Sequence, residues 1–258
     1  VNSSGMLIIP PYVSSFTISV ETYNDDLFKN SIYLDVNVGT KSGKITITNE
    51  EDRPALTITN SQVIEGNYGV FTLGVTKASA TDTAVDLEFD VLGQTASITD
   101  YVDNIEVLVD GIWVNAVKIG SRYIVTIPAL DTDTEIRVLT VSDNIIKGDK
   151  TLKIKANIQG VLPTITGTIN IIDKDTAVVD VEDVIVNETE GVVRVPIRMS
   201  KANANSVSLN VVTEDATADS NDYVCINTIV TFPAGSTEQF VDIVIRQDSI
   251  YEGPETFN

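Results

Sequence analysis

The chain has 258 residues, of which 43% are apolar, and its 37 acidic and 17 basic residues give a formal net charge of -20. This length and apolar content suffice to bury the cores of about two domains. The acidity disfavours nucleic acid and anionic membranes as partners, and no segment is long and apolar enough for direct membrane insertion. Because there is no histidine and only one cysteine, the usual zinc sites, His-dependent catalytic triads and an intrachain disulfide are excluded, so a metal site would have to use oxygen ligands.

One spacing recurs three times along the chain. Proline is followed 15 residues later by aspartate at Pro10 and Asp25, at Pro128 and Asp143, and at Pro233 and Asp248. Each pair brackets a turn and a segment of alternating apolar and polar residues, and such internal repeats predict an array of similar units. We expect three units: the closing part of one in residues 1–53, a complete one in residues 54–176, and the opening part of one in residues 177–258.

The complete unit begins with two alternating segments that repeat in the last unit. The residues sharing one face are Phe71, Leu73 and Val75 in the first segment and Val85, Leu87 and Phe89 in the second. Val, Ile and Thr dominate these segments, and alternation of this kind is typical of half-buried strands. Since no segment shows the helical period, an all-β fold is predicted.

The complete unit also carries an insertion that the last unit lacks. The inserted residues contain VLVDGIWVNAV, an Asp-Gly pair between alternating segments, which predicts a hairpin at about residues 102–120. Trp113 lies on this hairpin, and its indole either packs on the sandwich or forms an exposed contact for a partner. Cys225, two residues after Tyr223, is expected to be a small buried group.

The motifs of the last unit occur in the order and spacing of a known family. ETEGVVRVPIRMS, VTEDATADSNDY, IVTFPAGSTEQFVDIVI and DSIYEGPETF resemble a Calx-beta repeat. The complete unit keeps EGNYGVFTL, TASITDY and IPALDTDTEIRVLTVSDN, and the first fragment keeps GKITITNEED. The resemblance implies tandem immunoglobulin-like β-sandwiches, one complete and two partial, with calcium at one end. Such modules occur in very large bacterial surface proteins, including adhesins of gliding motility.

The resemblance also implies which residues hold calcium in the last unit. They are Glu188, Asp215, Asp248 and Glu252, with the carbonyl oxygen of Ile250 as a further ligand. Gln247 stands where the family usually has another aspartate, and the closing acidic residues of this site would lie beyond Asn258. Calcium suits converging carboxylates because it accepts about six to eight oxygens with loose geometry.

The middle unit matches this ligand set less completely. Its matching residues are Glu65, Asp143, Asp173 and Asp175, whereas Gly93 replaces one acidic residue and Lys147 another. Because lysine does not ligate calcium, we expect the ammonium group of Lys147 to neutralise Asp143 in place of a metal ion. The last unit is therefore favoured as the calcium site, and solvated loop charges without a metal are the alternative for both units.

Short linkers at residues 50–54 and 174–177 leave the units little room to swing. Calcium bound by the closing acids would stiffen each connection. Together with the resemblance, these linkers lead us to expect a non-catalytic structural repeat of an extracellular, cell-surface protein. It would be a calcium-stiffened stalk or filament segment in adhesion or gliding, and its partners would be the neighbouring repeats.

Three other functions remain open. A ligand-binding adhesive module would use the extra hairpin to bind a surface glycan or protein. A spacer module of a secreted enzyme would show the same sandwiches. A polymerising subunit would use residues 1–53 to complete the last unit of another copy by strand addition.

Overall fold

A computed structural model describes residues 8–159, 163–250 and 253–258. In these ranges the protein is all-β, as the sequence predicts, with twenty strands and one turn of 3-10 helix at Glu188–Glu190. Within the same ranges no helix is long and apolar enough to cross a membrane.

Residues 8–53 contain one hairpin. Strand β1 (Ile32–Val38) pairs antiparallel with β2 (Lys41–Ile47) through a turn in which Gly39 has a φ of 61°. Ile32 and Leu34 of β1 are exposed to solvent. A two-stranded sheet without a covered face is marginal by itself.

Residues 54–176 form two sheets that share one core. In spatial order, the first sheet consists of β4 (Ser61–Ile64), β14 (Ile165–Ile172), β13 (Lys150–Ile158), β6 (Thr83–Phe89), β10 (Arg122–Ile127) and β9 (Val117–Ile119). The second consists of β3 (Leu56–Ile58), β5 (Tyr68–Val75), β11 (Asp133–Leu139), β7 (Glu106–Val109) and β8 (Ile112–Asn115). The two layers are a β-sandwich.

The core of this sandwich contains the faces that alternation predicted. Its buried residues include Phe71, Leu73 and Val75 of β5 and Val85, Leu87 and Phe89 of β6. Ile136 of β11 and Ile154 of β13 complete the contact between the layers and are fully buried. Burial of each large apolar side chain contributes about 1.5–3 kcal/mol, so the two alternating segments supply much of the stabilisation.

One parallel pairing decides where the loops of this sandwich meet. β4 runs parallel to β14, with Ile64 opposite Ile172. Parallel neighbours end at the same edge of a sheet, so Glu65 and Asp173 leave the sheet side by side. The amide of Glu65 donates to the carbonyl oxygen of Ile172 at 3.1 Å, which fixes this arrangement.

Residues 177–258 form a smaller core. One sheet contains β15 (Val179–Val181), β16 (Val192–Met199) and β20 (Glu238–Val244), and the other contains β18 (Val207–Val212) and β19 (Asn227–Phe232). Val193, Ile197 and Phe232 are buried between them, whereas Leu209 is only half-buried. Within the described residues no further strand pairs with β18 or β19, so this side of the core stays thin.

Consecutive units are joined by short backbone pairings, which we call joints. Between the middle and last units, β12 (Ile145–Ile146) pairs in parallel with β17 (Ala202–Asn203). Between the first and middle units, Phe28 forms an isolated parallel bridge with Ser79.

The structure forms a hairpin at the Asp-Gly pair of the insertion. Asp110 and Gly111 have φ values of 51° and 78°, as a type I′ turn requires, and β7 pairs with β8 so that Leu108 lies opposite Trp113. The half-buried indole of Trp113 stacks on the guanidinium group of Arg137, 4.3 Å from its ring centroid.

A turn follows each of the repeated prolines and has the same backbone in all three copies. The residue two positions after the proline is left-handed, with φ of 69° at Tyr12, 72° at Leu130 and 79° at Gly235. The last copy fills this position with glycine, which tolerates positive φ, whereas leucine in the middle copy is strained there.

Cys225 is exposed, so the expectation of a buried thiol is wrong. The expectation assumed that Cys225 continues a strand from Tyr223, but residues 224–226 are not in a strand. Without strand geometry, a spacing of two residues does not place two side chains on one face. The thiol of Cys225 lies 3.7 Å from Asp215 Oδ1.

Candidate metal centre

Three carboxylates meet at one end of the middle sandwich. Glu65 follows β4, Asp143 lies in the loop between β11 and β12, and Asp175 follows β14. One oxygen from each lies within 4.8 Å of the others. The parallel pairing of β4 with β14 places Glu65 and Asp175 together. We call Glu65, Asp143 and Asp175 the acidic cluster.

The cluster contains a buried oxygen that lacks a hydrogen bond. The side chain of Asp175 is 0% exposed, and its Oδ2 has no partner in the described part of the chain. A buried carboxylate oxygen left without a donor is expensive, because it has lost its hydration. A bound cation would satisfy this oxygen.

Three lysines each contact one member of the acidic cluster. Lys147 Nζ lies 2.6 Å from Asp143 Oδ2, Lys174 Nζ lies 3.1 Å from Glu65 Oε1, and Lys201 Nζ lies 2.5 Å from Asp175 Oδ1. Lys147 also lies 2.9 Å from Asp100 Oδ1. The pairing of Lys147 with Asp143 has the geometry expected of a built-in cation.

Asp173 has a different set of contacts. Its Oδ2 accepts hydrogen bonds from the amides of Lys147 at 2.6 Å and Gly148 at 2.7 Å, and its Oδ1 accepts one from the amide of Asp175 at 2.8 Å. These bonds tie the Asp143 loop to the segment after β14. In this structure Asp173 therefore orients the members of the cluster and does not join them.

The surroundings of the site shift the pKa values of its carboxyl groups in opposite directions. Burial raises the pKa of Glu65 above its usual value, although the Lys174 ammonium opposes this. Burial also acts to raise the pKa of Asp173, but three backbone amides outweigh it and lower the pKa. The two contacting carboxylates raise the pKa of Lys147, so this lysine stays charged. The raised pKa of Glu65 thus reflects first its burial, to which the nearby carboxylates of Asp175 and Asp173 add a smaller effect.

Asp100 performs a structural role beside the cluster. Its Oδ2 accepts hydrogen bonds from the amide and hydroxyl groups of Ser97, both at 2.7 Å. Asp222 in the last unit accepts the amide of Asp219 at 2.7 Å in the same way. Both aspartates thus cap the turn before a buried tyrosine.

The predicted ligands of the last unit are not gathered in the same manner. Glu188 lies in the exposed 3-10 turn, Asp215 Oδ1 accepts the hydroxyl of Tyr223 at 2.6 Å, and Asp248 Oδ1 accepts the amide of Ile250 at 2.7 Å. Glu252 lies outside the described residues. Across the described ranges, the group of acids close enough to hold a metal ion is the acidic cluster of the middle unit.

The two units place their acidic residues in different surroundings. In the middle unit, Asp175 joins the cluster after β14, and among the described residues no strand after β20 corresponds to β14. Tyr223, stacked at 4.0 Å on Phe257, holds one oxygen of Asp215. The metal assignments for the last unit stay predictions.

Lys174 and Lys201 are the site residues that sequence reasoning missed. Lys174 lies between Asp173 and Asp175 in IIDKDT, so its position was a signal. Lys201 lies 26 residues after its partner Asp175, in another unit, and no local pattern indicates this contact.

The residues present fit a divalent cation with a preference for oxygen. Counting Asp100 and Asp173 with the acidic cluster, five carboxylates face three ammonium groups, which leaves two uncompensated negative charges. Hard cations such as calcium bind carboxylate oxygens without nitrogen or sulfur ligands. Glu65, Asp143 and the free oxygen of Asp175 are the groups that would hold one.

Comparison with known proteins supports one family. The model of the Calx-beta domain matches residues 170–258, while no curated protein matches the chain. A crystal structure of CBD12 from CALX1.2 overlaps 75% of this chain and 75% of that one at 19% identity and a TM-score of 0.36. The crystal structure of the apo form of the Calx CBD1 domain overlaps 46% of this chain and 98% of that one at 16% identity and a TM-score of 0.33. The likeness to the Calx-beta domain family therefore rests on the match of its model to residues 170–258, about a third of the chain.

Proposed function

We propose that the chain is a structural segment of a long extracellular surface protein, in which calcium-binding β-sandwiches follow one another as a stalk in cell adhesion or gliding. The family of the last unit, the tandem order of the units and their short joints support this proposal. The net charge of -20 supports it further, because like-charged stalks repel each other and stay separate.

The acidic cluster is the observation that carries the proposal. It lies at the joint, because the loop that contributes Asp143 continues directly into β12, which pairs with β17 of the last unit. Calcium bound here would neutralise carboxylates that otherwise repel, and would thereby hold the loop in the conformation that the joint requires. Extracellular calcium-binding modules have dissociation constants of about 0.1 to 1 mM. Calcium at the concentrations found outside cells would therefore occupy a site of this kind.

Calorimetric titration of the chain with calcium tests this function. We expect binding at the acidic cluster, and loss of that binding in Asp175→Asn, because the variant lacks the charge on the buried carboxylate. Asp131→Asn is the matched control, since Asp131 is an exposed aspartate of the same unit outside the cluster. Equal binding by both variants would contradict the proposed site.

A melting curve adds a second measurement. Calcium at about one hundred times its dissociation constant stabilises a single-site protein by about 2.7 kcal/mol. We therefore expect the chain to melt at a higher temperature in calcium than in chelator. Identical curves in the two solutions would argue against a calcium-binding function.

A ligand-binding module is the second candidate. Arg137 lies between two aromatic rings, 3.8 Å from the centroid of Tyr68 and 4.3 Å from that of Trp113, and a cleft of about 60 Å³ beside it is also lined by Asn104 and Glu106. Aromatic and polar groups of this kind suit a surface glycan. Binding to a glycan array that Trp113→Ala abolishes would favour this candidate over the stalk.

A spacer of a secreted enzyme is the third candidate. The carboxylates lie in loops at a joint, and the cleft that Glu65, Asp100 and Asp173 help to line has a volume of only about 10 Å³, too small for a substrate, so we propose no catalytic role for them. A catalytic domain adjoining this segment in the same protein would favour the spacer over the stalk.

A further inference from the structure

The first joint consists of two backbone hydrogen bonds around one residue. The amide of Phe28 donates to the carbonyl oxygen of Ala78 at 3.0 Å, and the amide of Ala80 donates to the carbonyl oxygen of Phe28 at 2.9 Å. Phe28 is therefore inserted, as a parallel bridge, between two residues of the following unit.

The second joint repeats this arrangement. Ile146 pairs in parallel with Asn203, and the amide of Ala204 donates to the carbonyl oxygen of Ile146 at 2.8 Å. The inserted residues belong to the loops DDLFK (25–29) and DNIIK (143–147), and they contact KASA (77–80) and KANA (201–204). Two joints with matching sequences and matching hydrogen bonds indicate a recurring interface. We call residues 77–80 and 201–204 the docking edges.

Each docking edge is fixed in shape by its own unit. The carbonyl oxygen of Ser79 accepts the amide of Leu130 at 2.9 Å, and that of Asn203 accepts the amide of Gly235 at 2.8 Å. Leu130 and Gly235 are the left-handed residues of the repeated turn. The turn thus holds each edge in place, and the preceding loop docks against a preformed surface.

The second joint also carries a charge contact between units. Lys201, the first residue of its docking edge, places Nζ 2.5 Å from Asp175 Oδ1. The Asp175 side chain is fully buried while that of Lys201 is 32% exposed. Ion pairs on the surface contribute little, but removing the partner of a buried carboxylate is strongly destabilising. Asp175 therefore depends on a cation that the next unit supplies.

We propose that each docking edge is the surface on which a unit binds the loop of the unit before it, DDLFK (25–29) or DNIIK (143–147). In the second joint, Lys201 fixes this contact by neutralising Asp175. The partner is a consecutive unit of the same protein. This inference goes beyond calcium binding, because the lysine and the backbone bridge would keep this joint docked when no metal ion is bound.

Distances between spin labels in the full chain test the proposal. Labels are placed by Glu135→Cys on β11 and Asn210→Cys on β18, two exposed strand positions in different units, in a Cys225→Ser background. In chelator we expect one narrow distance distribution for the parent chain and loss of that narrow distribution in Lys201→Met. Calcium should narrow the distribution of Lys201→Met again, because a divalent ion replaces the missing charge.

Three further variants complete the experiment. Lys155→Met is the matched control, since Lys155 pairs with Asp90 at 2.9 Å within the middle unit, and its distribution should stay narrow. Lys201→Arg keeps the positive charge and should also stay narrow. Ala204→Pro removes the amide that donates to Ile146 without changing any charge, and it should broaden the distribution.

Two results would overturn the proposal: a broad distribution for the parent chain in chelator, or a narrow one for Lys201→Met in chelator. Neither result concerns calcium binding itself. Conversely, failure of the calcium titration would reject the proposed calcium site and leave the docking edge intact, so the two proposals fail separately.

Discussion

Lys147 is the residue on which the metal chemistry of the middle unit depends most directly. It lies between Asp143 and Asp100, at 2.6 Å and 2.9 Å, where an acidic ligand would follow from the resemblance to the family. We predict that Lys147→Glu raises the affinity for calcium in calorimetric titration, because it removes a competing cation and adds an oxygen ligand.

The control for this prediction is Lys155→Glu, which reverses the charge of a paired lysine away from the cluster. In chelator, Lys147→Glu should melt well below the control, because Asp100 and Asp143 lose their partner. Unchanged calcium affinity in Lys147→Glu would refute the idea that this lysine takes the place of a metal ion.

Asp100 makes the stability of the middle unit depend on acid. Burial acts to raise its pKa, but hydrogen bonds from Lys147 and Ser97 outweigh it and lower the pKa in the folded state. A lowered pKa contributes stability above the unfolded value of about 3.9, and that stability is lost as the pH falls through the folded value. We predict that Asp100→Asn flattens the loss of stability below about pH 4, measured by denaturant unfolding at a series of pH values.

The raised pKa of Glu65 has the opposite effect on stability in acid. Burial favours its protonated form. Protonation as the pH falls through the folded pKa therefore removes the cost of burying a charged carboxylate, which is present at neutral pH. Glu65→Gln should therefore leave the acid limb due to Asp100 in place. An identical pH profile for Asp100→Asn and the parent chain would show that Asp100 is not the responsible group.

Leu130 occupies a backbone conformation that suits glycine. Its φ is 72°, its side chain is 64% exposed, and the equivalent residue of the last unit is Gly235. We predict that Leu130→Gly stabilises the chain by about 0.5–1 kcal/mol, since it relieves strain at no loss of packing. Denaturant unfolding measures this, and Gly235→Leu should lose a similar amount. Destabilisation by Leu130→Gly would show that the turn is not strained.

At the residue scale, the sequence predicted the acids of the site better than their partners. The resemblance to the Calx-beta repeat named Glu65, Asp143 and Asp175, and these three carboxylates lie close together in the structure, while their ligation of a metal ion stays a prediction. The partners of Lys174 and Lys201 could not be predicted, because a long side chain reaches whichever carboxylate the tertiary arrangement brings near. The hydrogen bond from Tyr223 to Asp215 was hidden for the same reason.

Among the elements, the strands with strict alternation were predicted most reliably. The inward faces of β5 and β6 are buried. Because each strand has one face on the core and the other in solvent, apolar and polar residues alternate along it, and this alternation is visible in the sequence. The parallel pairing of β4 with β14 was not predictable in this way. It joins residues about one hundred positions apart, and neither strand encodes its neighbour.

The inserted hairpin yields a prediction for the element that carries the single tryptophan. Trp113 stacks on Arg137, whose Nε lies 2.5 Å from Glu106 Oε2. We predict that Trp113→Ala lowers the free energy of unfolding by about 1 kcal/mol, because it removes a cation–π contact on a half-buried surface.

Ile112→Ala is the control for this variant, since Ile112 lies on the same hairpin and is 66% exposed. Unfolding in denaturant compares the two. If Trp113→Ala loses no more stability than the control, the indole does not stabilise the fold, and the ligand-binding candidate gains support.

The whole molecule is expected to be monomeric in solution. Its net charge of -20 makes two copies repel each other at low ionic strength, and this repulsion opposes strand exchange between copies. We predict a single monomer species in sedimentation across a wide concentration range. A ladder of species that grows with concentration would instead support the polymerising subunit.

The joints give the chain a graded response to pulling. A joint is closed by a bridge of one or two residues, whereas β5 and β11 pair over seven. In the stalk proposed above, tension along the chain would open the short bridges first and lengthen the chain while the sandwiches stay folded. A surface protein built in this way would extend under a sudden load and shorten again when the load is removed. Its hydrophobic cores would stay folded and inaccessible to proteases throughout.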